Sequence, residues 1–232
     1  MQLERPSPKF QEQQRFLKFA RALVRLPGPG EGPLDYLLPE ADWQELCSRM
    51  EDRDSWFMGL SQATGVYFFP SREWPWRFIR YLQHLEVKRL LEAGAGRGYL
   101  TGALASLAAA RGLTFRAVDR GEGEFISELP VHPLVEGGDV FQAAGEFQPE
   151  AIIYAWPPPG QSLAGLFETP SVRYLFVAGE RGGGVTGARE DWEMLPHKIS
   201  SGLTRFSRGR TGTERHCVTI FSRIVPKFQV PG

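Results

Sequence analysis

The sequence predicts an α/β fold in which helices cover both faces of a doubly wound, largely parallel sheet. The main observation is a strand, a glycine-rich turn and a helix in succession over residues 87–110. An apolar run is followed by glycines at the alternate positions 94, 96 and 98 and then by a segment rich in Ala and Leu. Further short apolar runs recur down to residue 178. The first 65 residues instead show helical periodicity, which predicts a small helical extension ahead of the sheet.

The composition is that of an ordinary globular domain. Of the 232 residues, 42% are hydrophobic and 23% are charged, and the net charge of zero gives no global attraction to nucleic acid or to an anionic membrane. No run approaches the roughly 18–20 apolar residues that a membrane span needs, and no signal-peptide core is visible. Cys47 and Cys217 are too far apart in sequence to form a metal-binding pair, so a reducing cytoplasm is the expected location, with no metal site.

The helical extension is expected to occupy residues 1–65, and the larger domain residues 66–232. A first amphipathic helix should end before the Pro/Gly stretch at 27–30, because apolar residues recur at helical spacing: Phe10, Phe16, Phe19, Ala20, Leu23 and Leu26. A second helix is expected over 41–50, with Trp43, Leu46 and Met50 on one face. These side chains either form the core of a small cap or line the mouth of an active site as a lid.

A strand and a helix are predicted between the extension and the glycine turn. Residues 65–70 are aromatic and β-prone. Ser71 is expected to cap a helix whose first turn accommodates Pro75, and residues 76–84 give that helix an apolar face for packing on the sheet.

The glycine turn predicts a ligand site, because it places backbone N–H groups at the N-terminus of a helix. Its spacing is G-x-G-x-G, since Tyr99 stands where a dinucleotide fingerprint would have its third glycine. The acid before it, Glu92, suits a ligand with a cationic ammonium or sulfonium better than a pyrophosphate. The alternative is a turn that serves only close packing of a helix on a strand.

The sequence Glu-Ala-Gly-Ala-Gly-Arg-Gly at 92–98 resembles motif I of the Rossmann-like (class I) S-adenosyl-L-methionine (SAM) methyltransferases. The similarity extends over roughly residues 66–225. It implies a seven-stranded sheet with an antiparallel C-terminal hairpin, SAM as the cofactor and methyl transfer as the activity. In this class the segment before motif I closes over the cofactor, so Tyr67 and Trp74 are either cofactor neighbours or core residues. The expected cofactor-binding residues are Glu92, Gly94, Ala95, Gly96, Gly98, Asp119, Asp139 and Val140.

Two of these residues are acids at the ends of later strands. Asp119 follows a strand over 113–118, about twenty residues past the glycine turn, where a carboxylate can accept hydrogen bonds from a ribose diol. Asp139 follows a third strand, and the resemblance implies that it faces the adenine amino group beside Val140. Both acids also suit ordinary turns, which is the alternative reading.

A proline-rich loop follows the fourth predicted strand, 149–155. Ligands of open α/β sheets bind outside the C-terminal ends of the strands, so Trp156, Pro157 and Pro158 are expected to border the acceptor. The loop resembles motif IV of amino-group methyltransferases, Asp/Asn/Ser-Pro-Pro-aromatic, but it lacks the polar residue and has Pro159 in the aromatic position. Methylation of adenine N6 or of glutamine is therefore disfavoured. A rigid connector with a core tryptophan is the alternative.

The C-terminal third is expected to contain a fifth strand over 172–178, a mobile substrate loop over 181–187, a short helix over 190–195 and an antiparallel hairpin. The two hairpin strands are placed at 202–208 and 216–223 because their residues alternate. The proline loop, the glycine-rich loop and Trp192 together resemble a group of uncharacterised methyltransferase-like proteins. That resemblance carries no substrate.

Three functions stay open at this point. The first is methyl transfer from SAM, with His197, His216, Tyr154 and Glu180 as candidate bases. The second is a SAM-fold binding or regulatory protein without transferase activity, and the third, disfavoured by the glycine spacing, is a nicotinamide-dependent oxidoreductase. A small-molecule acceptor is favoured over RNA or protein, and no membrane partner is expected. RNA stays open because residues 173–227 hold ten Lys/Arg against five Asp/Glu.

Overall fold

The computed structural model describes residues 8–121, 129–212 and 214–223. The helices are α1 (Pro8–Leu23), α2 (Glu40–Ser48), α3 (Arg53–Thr64), α4 (Trp74–His84), α5 (Tyr99–Ala110), α6 (Val140–Phe147), a 3₁₀ helix (Ala164–Glu168), α7 (Arg189–Met194) and α8 (Ser201–Thr204). The strands are β1 (Phe69–Pro70), β2 (Arg89–Ala93), β3 (Thr114–Asp119), β4 (Val135–Gly137), β5 (Ala151–Ala155), β6 (Tyr174–Gly179), β7 (His197–Ile199), β8 (Ser207–Arg208) and β9 (Cys217–Ser222).

Seven strands form the main sheet, in the order β4-β3-β2-β5-β6-β9-β7. The first five in this order run parallel, and β9 is antiparallel to both β6 and β7. The chain builds outward from β2 first to β3 and β4 and then, on the other side, to β5 and β6, so the strand order reverses between β2 and β5. The predicted fold class, a Rossmann-like sheet with an antiparallel C-terminal end, is confirmed.

The central strands are buried on both faces, which explains why they read as continuous apolar runs rather than alternating ones. Strand β5 is Ala-Ile-Ile-Tyr-Ala and β6 is Tyr-Leu-Phe-Val-Ala-Gly. Alternate residues enter different cores: Ile153 and Phe176 pack with α4, α5 and α8, whereas Ile152 and Leu175 pack with α6 and the 3₁₀ helix. The sheet thus separates two hydrophobic cores.

The helical extension has a third core, which it shares with the larger domain. Trp43, Phe57 and Leu60 from α2 and α3 are buried together with Phe69 and Tyr99. Helix α1 ends at Leu23, short of the predicted stop at the prolines. The side chain of Phe10 lies outside the described part. No sequence pattern had predicted α3, which Asp52 caps by accepting a hydrogen bond from the Ser55 N–H.

Three expectations about the elements are wrong. Residues 201–204 form helix α8, because the Ser200 side chain caps it and Leu203 is buried in the core. The neighbour of β9 at the sheet edge is therefore β7, while β8 pairs with β1 in a separate two-stranded sheet. Ser71 does not cap α4, whose N-cap is Glu73. Helix α6, directly after Asp139, was also not predicted.

None of the helices in the described ranges has both the length and the apolar character needed to cross a bilayer.

Candidate functional site

A cleft of about 530 Å³ opens at the C-terminal ends of β2, β3 and β5. This is the edge at which the strand order reverses, and open α/β sheets bind their ligands there. The cleft is lined by residues of the glycine turn, of the loops after β3 and β5 and of the segment ahead of β1: Gly65, Val66, Tyr67, Phe68, Glu92, Gly94, Ala95, Gly96, Arg97, Tyr99, Leu100, Asp119, Arg120, Gly121, Val131, Val140, Tyr154, Ala155, Trp156, Pro158 and Gln161.

The three glycines of the turn have different roles. All have positive φ angles, 60°, 56° and 80° for Gly94, Gly96 and Gly98, which side chains disfavour. A Cβ atom on Gly94 would lie 2.5 Å from the Tyr154 ring, and one on Gly98 would overlap the His132 side chain. A Cβ on Gly96 would have nothing within 4 Å. Gly94 and Gly98 therefore permit close packing, whereas Gly96 leaves open space beside bare backbone at the cleft.

Three backbone N–H groups of this turn, those of Ala95, Gly96 and Gly98, are bonded within the protein. The Ala95 N–H donates to the Val118 carbonyl at 3.0 Å, and the Gly98 N–H donates to the Ala95 carbonyl at 2.9 Å. The Gly96 N–H donates to Asp119 Oδ2 at 2.7 Å. A pyrophosphate needs free N–H donors and no carboxylate beside them, so this geometry disfavours a dinucleotide site.

Two carboxyl groups, of Glu92 and Asp119, line the cleft together with two guanidinium groups, of Arg97 and Arg120. Glu92 is buried, and its Oε2 accepts a 2.7 Å hydrogen bond from the Thr101 hydroxyl. Burial raises the pKa of Glu92 to about 8; the Thr101 bond opposes the shift and the nearby charge of Asp119 adds to it. Asp119 Oδ1 accepts from the Gly121 N–H at 2.7 Å. A positive charge bound beside Glu92 and Asp119 would be stabilised by the carboxylate of Asp119 and would favour the ionised form of Glu92.

Asp139 does not line the cleft. It is the N-cap of α6, and its Oδ1 accepts hydrogen bonds from the N–H groups of Phe141 and Gln142 at 2.8 and 3.0 Å. Its Oδ2 pairs with Arg120, and this contact, together with the two backbone bonds, lowers the pKa of Asp139. The neighbouring Val140 and the paired Arg120 do line the cleft. The carboxylate therefore positions the wall of the cleft from behind it.

The loop after β5 forms the opposite wall. Trp156 has φ +52°, a left-handed conformation that is uncommon for a bulky residue. Its backbone N–H donates to the Ala178 carbonyl at 2.8 Å. Trp156 and Pro158 line the cleft, whereas Pro157 is buried outside it. The Arg210 guanidinium carbon lies 5.7 Å from the centre of the Trp156 ring, and Arg210 pairs with Glu180 at 3.4 Å. The backbone of Trp156 is thus fixed by a hydrogen bond to β6, and its indole ring packs against an arginine that is itself in an ion pair.

Of the four candidate bases, only Tyr154 borders the cleft. Its hydroxyl donates to Gln161 Oε1 at 3.0 Å, and burial raises its pKa to about 12. His216 is buried elsewhere, with its Nε2 bonded to the Ser207 hydroxyl, and burial lowers its pKa to about 3. His197 lies in a separate surface cleft, and Glu180 is paired with Arg210.

The cleft brings together most of the residues singled out in the sequence. Eight line it: Glu92, Gly94, Ala95, Gly96, Asp119, Val140, Trp156 and Pro158. Gly98, Asp139 and Pro157 support it from behind. Tyr67 also lines it, whereas Trp74 is fully buried in the core. Arg97 and Tyr99 also line the cleft, and because they lie in or directly after the glycine turn, the sequence could have predicted them as site residues. Val131 could not, because it lies in a loop without periodicity or motif.

No protein-family model matches this chain, and no curated protein matches its sequence. Among solved structures, it is similar to a SAM-dependent methyltransferase from Archaeoglobus fulgidus at 12% identity and a TM-score of 0.37, over 64% of this chain and 92% of the other. A putative caffeoyl-CoA O-methyltransferase from Staphylococcus aureus matches at 10% identity and 0.42, over 79% and 98%. Human N-acetylserotonin methyltransferase, in complex with SAM, matches at 11% and 0.41, over 93% and 67%.

Proposed function

We propose that this chain is a SAM-dependent methyltransferase. The observation that carries the proposal is the open backbone at Gly96, which bonds to Asp119 and lines the same cleft as the buried Glu92, at the switch point of the sheet. Two carboxyl groups beside an unobstructed glycine suit a ligand that has a cationic end and a ribose diol. Bound there, SAM supplies an electrophilic methyl group on a sulfonium.

The residues of the cleft divide into two groups on this proposal. Glu92 would hold the cationic amino group of the ligand, and Asp119, which accepts a hydrogen bond from the Gly96 N–H, would hold the ribose hydroxyls. Val131 and Val140 offer apolar contacts for the adenine ring. Trp156, with Pro158, borders the space left for the acceptor.

The contribution of the chain to methyl transfer is alignment of the two reactants and exclusion of water. Tyr67, Phe68 and Trp156 give the acceptor side aromatic walls, which suit an apolar or planar small molecule. A small-molecule acceptor is therefore part of the proposal. The cytoplasm is the proposed location, supported by the two unpaired cysteines, Cys47 and Cys217.

One observation supports a second candidate function, a SAM-binding protein without transferase activity. The two residues ahead of the prolines, Ala155 at the end of β5 and Trp156 after it, offer no side-chain acceptor of the kind that orients a planar amino group. Tyr154, the one candidate base at the cleft, has a pKa raised to about 12 and is a poor proton acceptor at neutral pH. Such a protein would bind SAM and release no product.

Calorimetry followed by a product assay separates the two candidates. We expect SAM and S-adenosylhomocysteine to bind with micromolar affinity and NAD not to bind. Purified protein is then incubated with SAM and either a small-molecule cell extract filtered below 3 kDa or bulk RNA, and S-adenosylhomocysteine is quantified. Product formed with the filtered extract supports the proposal. Binding without product in either fraction supports the second candidate, and absence of SAM binding overturns both.

A further inference from the structure

Charge is unevenly distributed between the two faces of the sheet. Helices α4, α5 and α8 pack on the same face, through the core that contains Phe78, Leu104 and Leu203. Not one Asp or Glu occurs in the sequences of these three helices. The helices on the opposite face contain Glu146, Glu168, Glu190, Asp191 and Glu193. The helices on this face therefore contain no carboxylate within their own sequences, and the nearest ones along the chain are Glu73, the N-cap of α4, and Glu86, two residues after its end.

Four exposed arginines lie on the face formed by α4, α5 and α8. Arg77 and Arg80 are on the outer side of α4, Arg111 is the C-cap of α5 and Arg205 is the C-cap of α8. We call these four residues, with Trp76 and Phe206, the arginine patch. Within the described ranges, none of the four arginines takes part in an ion pair, whereas ten other arginine–carboxylate pairs are formed across the rest of the structure.

Aromatic rings hold three of these four guanidinium groups in place. Those of Arg77 and Arg205 lie 3.8 and 5.6 Å from the centre of the Phe206 ring. The Arg111 guanidinium lies 4.3 Å from the centre of Trp76, whose side chain is 38% exposed. Arg80 is one helical turn from Trp76 and Arg77, on the same side of α4. Like charges gathered on shared rings repel one another, and a polyanion would relieve that repulsion.

We propose that the arginine patch binds the phosphate backbone of a single nucleic acid strand. Planar guanidinium groups donate two parallel hydrogen bonds to a phosphate, and an exposed indole is a platform for stacking a base. The combination of ordered arginines with an exposed aromatic fits nucleic acid better than an acidic protein, which offers no bases. The inference goes beyond the proposed function, since binding at the patch would not require SAM.

The patch differs from the basic excess visible in the C-terminal sequence. Arg208 forms a buried pair with Glu40, Arg210 pairs with Glu180, and Arg223 donates to backbone carbonyls of residues 167, 169 and 170. These side chains are engaged within the protein. Only Arg205 of that C-terminal group belongs to the patch. The surface is therefore created by the packing of three helices that are distant in sequence.

Fluorescence anisotropy with a labelled 20-nucleotide RNA, and with DNA of the same sequence, tests the proposal at 50 and 200 mM KCl. We expect binding that weakens steeply with salt, with a slope of about −0.7 per phosphate contact in a plot of log affinity against log salt. The triple variant R77Q/R80Q/R205Q should lose on the order of tenfold or more in affinity at 50 mM KCl, and its slope should be less steep by about 2.

The matched control is R49Q/R181Q/R189Q, which removes the same charge from three exposed arginines in ion pairs outside the patch. It should bind RNA within twofold of the wild type. Circular dichroism melting and SAM calorimetry on both triple variants test whether the fold and the cofactor site are retained. The proposal is overturned if the wild type binds neither strand at 10 μM protein, or if both triple variants lose affinity equally. Binding to anionic phosphatidylserine vesicles but not to either strand would also overturn it.

Discussion

Glu92 is a carboxyl group buried at the floor of the cleft, and its properties couple ligand binding to pH. With a pKa raised to about 8 by burial, the free protein holds this group largely protonated at neutral pH. A cation placed against it favours the carboxylate and lowers that pKa. Binding of a cationic ligand then releases a proton, so the two equilibria are linked.

We therefore expect the affinity for SAM to rise with pH up to about 8 and to level off above it. In Glu92→Gln, affinity should be lower at pH 8 and nearly independent of pH, because the titrating group is gone. Calorimetry in buffers of different ionisation enthalpy measures the proton release directly. Wild-type affinity that is flat between pH 6 and 8, with no proton released, would contradict this role.

The same pKa shift predicts how stability varies with pH. The folded protein holds the Glu92 proton up to about pH 8, whereas the unfolded chain loses it near 4.5. The contribution of Glu92 to the free energy of unfolding is therefore complete below pH 4.5 and is lost as pH rises through 8. Glu92→Gln should gain stability relative to the wild type as pH increases from 5 to 9, measured by urea unfolding at each pH. An unchanged difference across that range would show that Glu92 does not titrate as proposed.

Gly96 provides a test in which backbone strain is controlled. Gly96→Val should abolish SAM binding, because the added side chain would occupy the open space at the cleft. The control is Gly112→Val, in the exposed turn after α5: Gly112 has φ +69° and, like Gly96 with φ +56°, nothing within 4 Å of an added Cβ. Both variants should lose roughly 1–2 kcal/mol of stability from the disfavoured φ. Calorimetry that finds equal SAM affinity in the two variants would remove the main argument for the site.

Among the elements, the loop after β5 combines a left-handed backbone with a large side chain. Trp156 has φ +52°, so this position carries strain for any residue except glycine. Because the indole borders the cleft and is only partly buried, the side chain has a smaller role in the core than Trp43, which is fully buried. The strained conformation is retained at the place where the acceptor is proposed to bind.

Trp156→Ala is expected to leave SAM affinity unchanged and to lower turnover at least tenfold once an acceptor is known. It should cost less stability than Trp43→Ala, for which a core truncation predicts about 3–5 kcal/mol. Trp156→Gly should be about 1 kcal/mol more stable than Trp156→Ala, because glycine tolerates the positive φ. Thermal and urea unfolding of the three variants measure these differences. A loss at Trp156 as large as that at Trp43 would make it a core residue.

Elements with strong local signals were predictable from the sequence. Strands β5 and β6 are apolar runs, β2 leads directly into the glycine turn, and the spacing of that turn fixes the start of α5. The alternation at 202–208 misled, because Leu203 is buried by packing of α8 against the sheet rather than by strand pairing. The side of the cleft formed by the glycine turn was predicted from one local motif, and Asp119 and Val140 were predicted from their places after later strands. The proposed acceptor side combines residues from distant segments, such as Tyr67 and Gln161, whose proximity depends on tertiary structure.

At the scale of the whole molecule, the helical extension and the sheet domain are joined by a common core. The Tyr36 hydroxyl donates to the carbonyl of Tyr99, the first residue of α5, and the two rings pack edge to face at 5.4 Å. Glu40 of α2 pairs with Arg208 of β8. The Glu40 side chain is only 13% exposed and the Arg208 side chain 10%. The boundary near residue 65 is therefore a change in local structure and leaves the two parts physically dependent on each other.

This shared core predicts that residues 66–232 will not form a stable protein alone. Their separation from the extension would expose Phe69, Tyr99 and Ala103, which are buried in the full chain, and would remove the carboxylate that pairs with Arg208. Breaking a buried ion pair alone costs about 3–5 kcal/mol, a large part of the 5–15 kcal/mol that holds a typical domain folded. We expect the fragment to aggregate or to unfold without a cooperative transition, measured by circular dichroism melting beside the full chain. A fragment that melts cooperatively and binds SAM with full affinity would instead establish an independent domain.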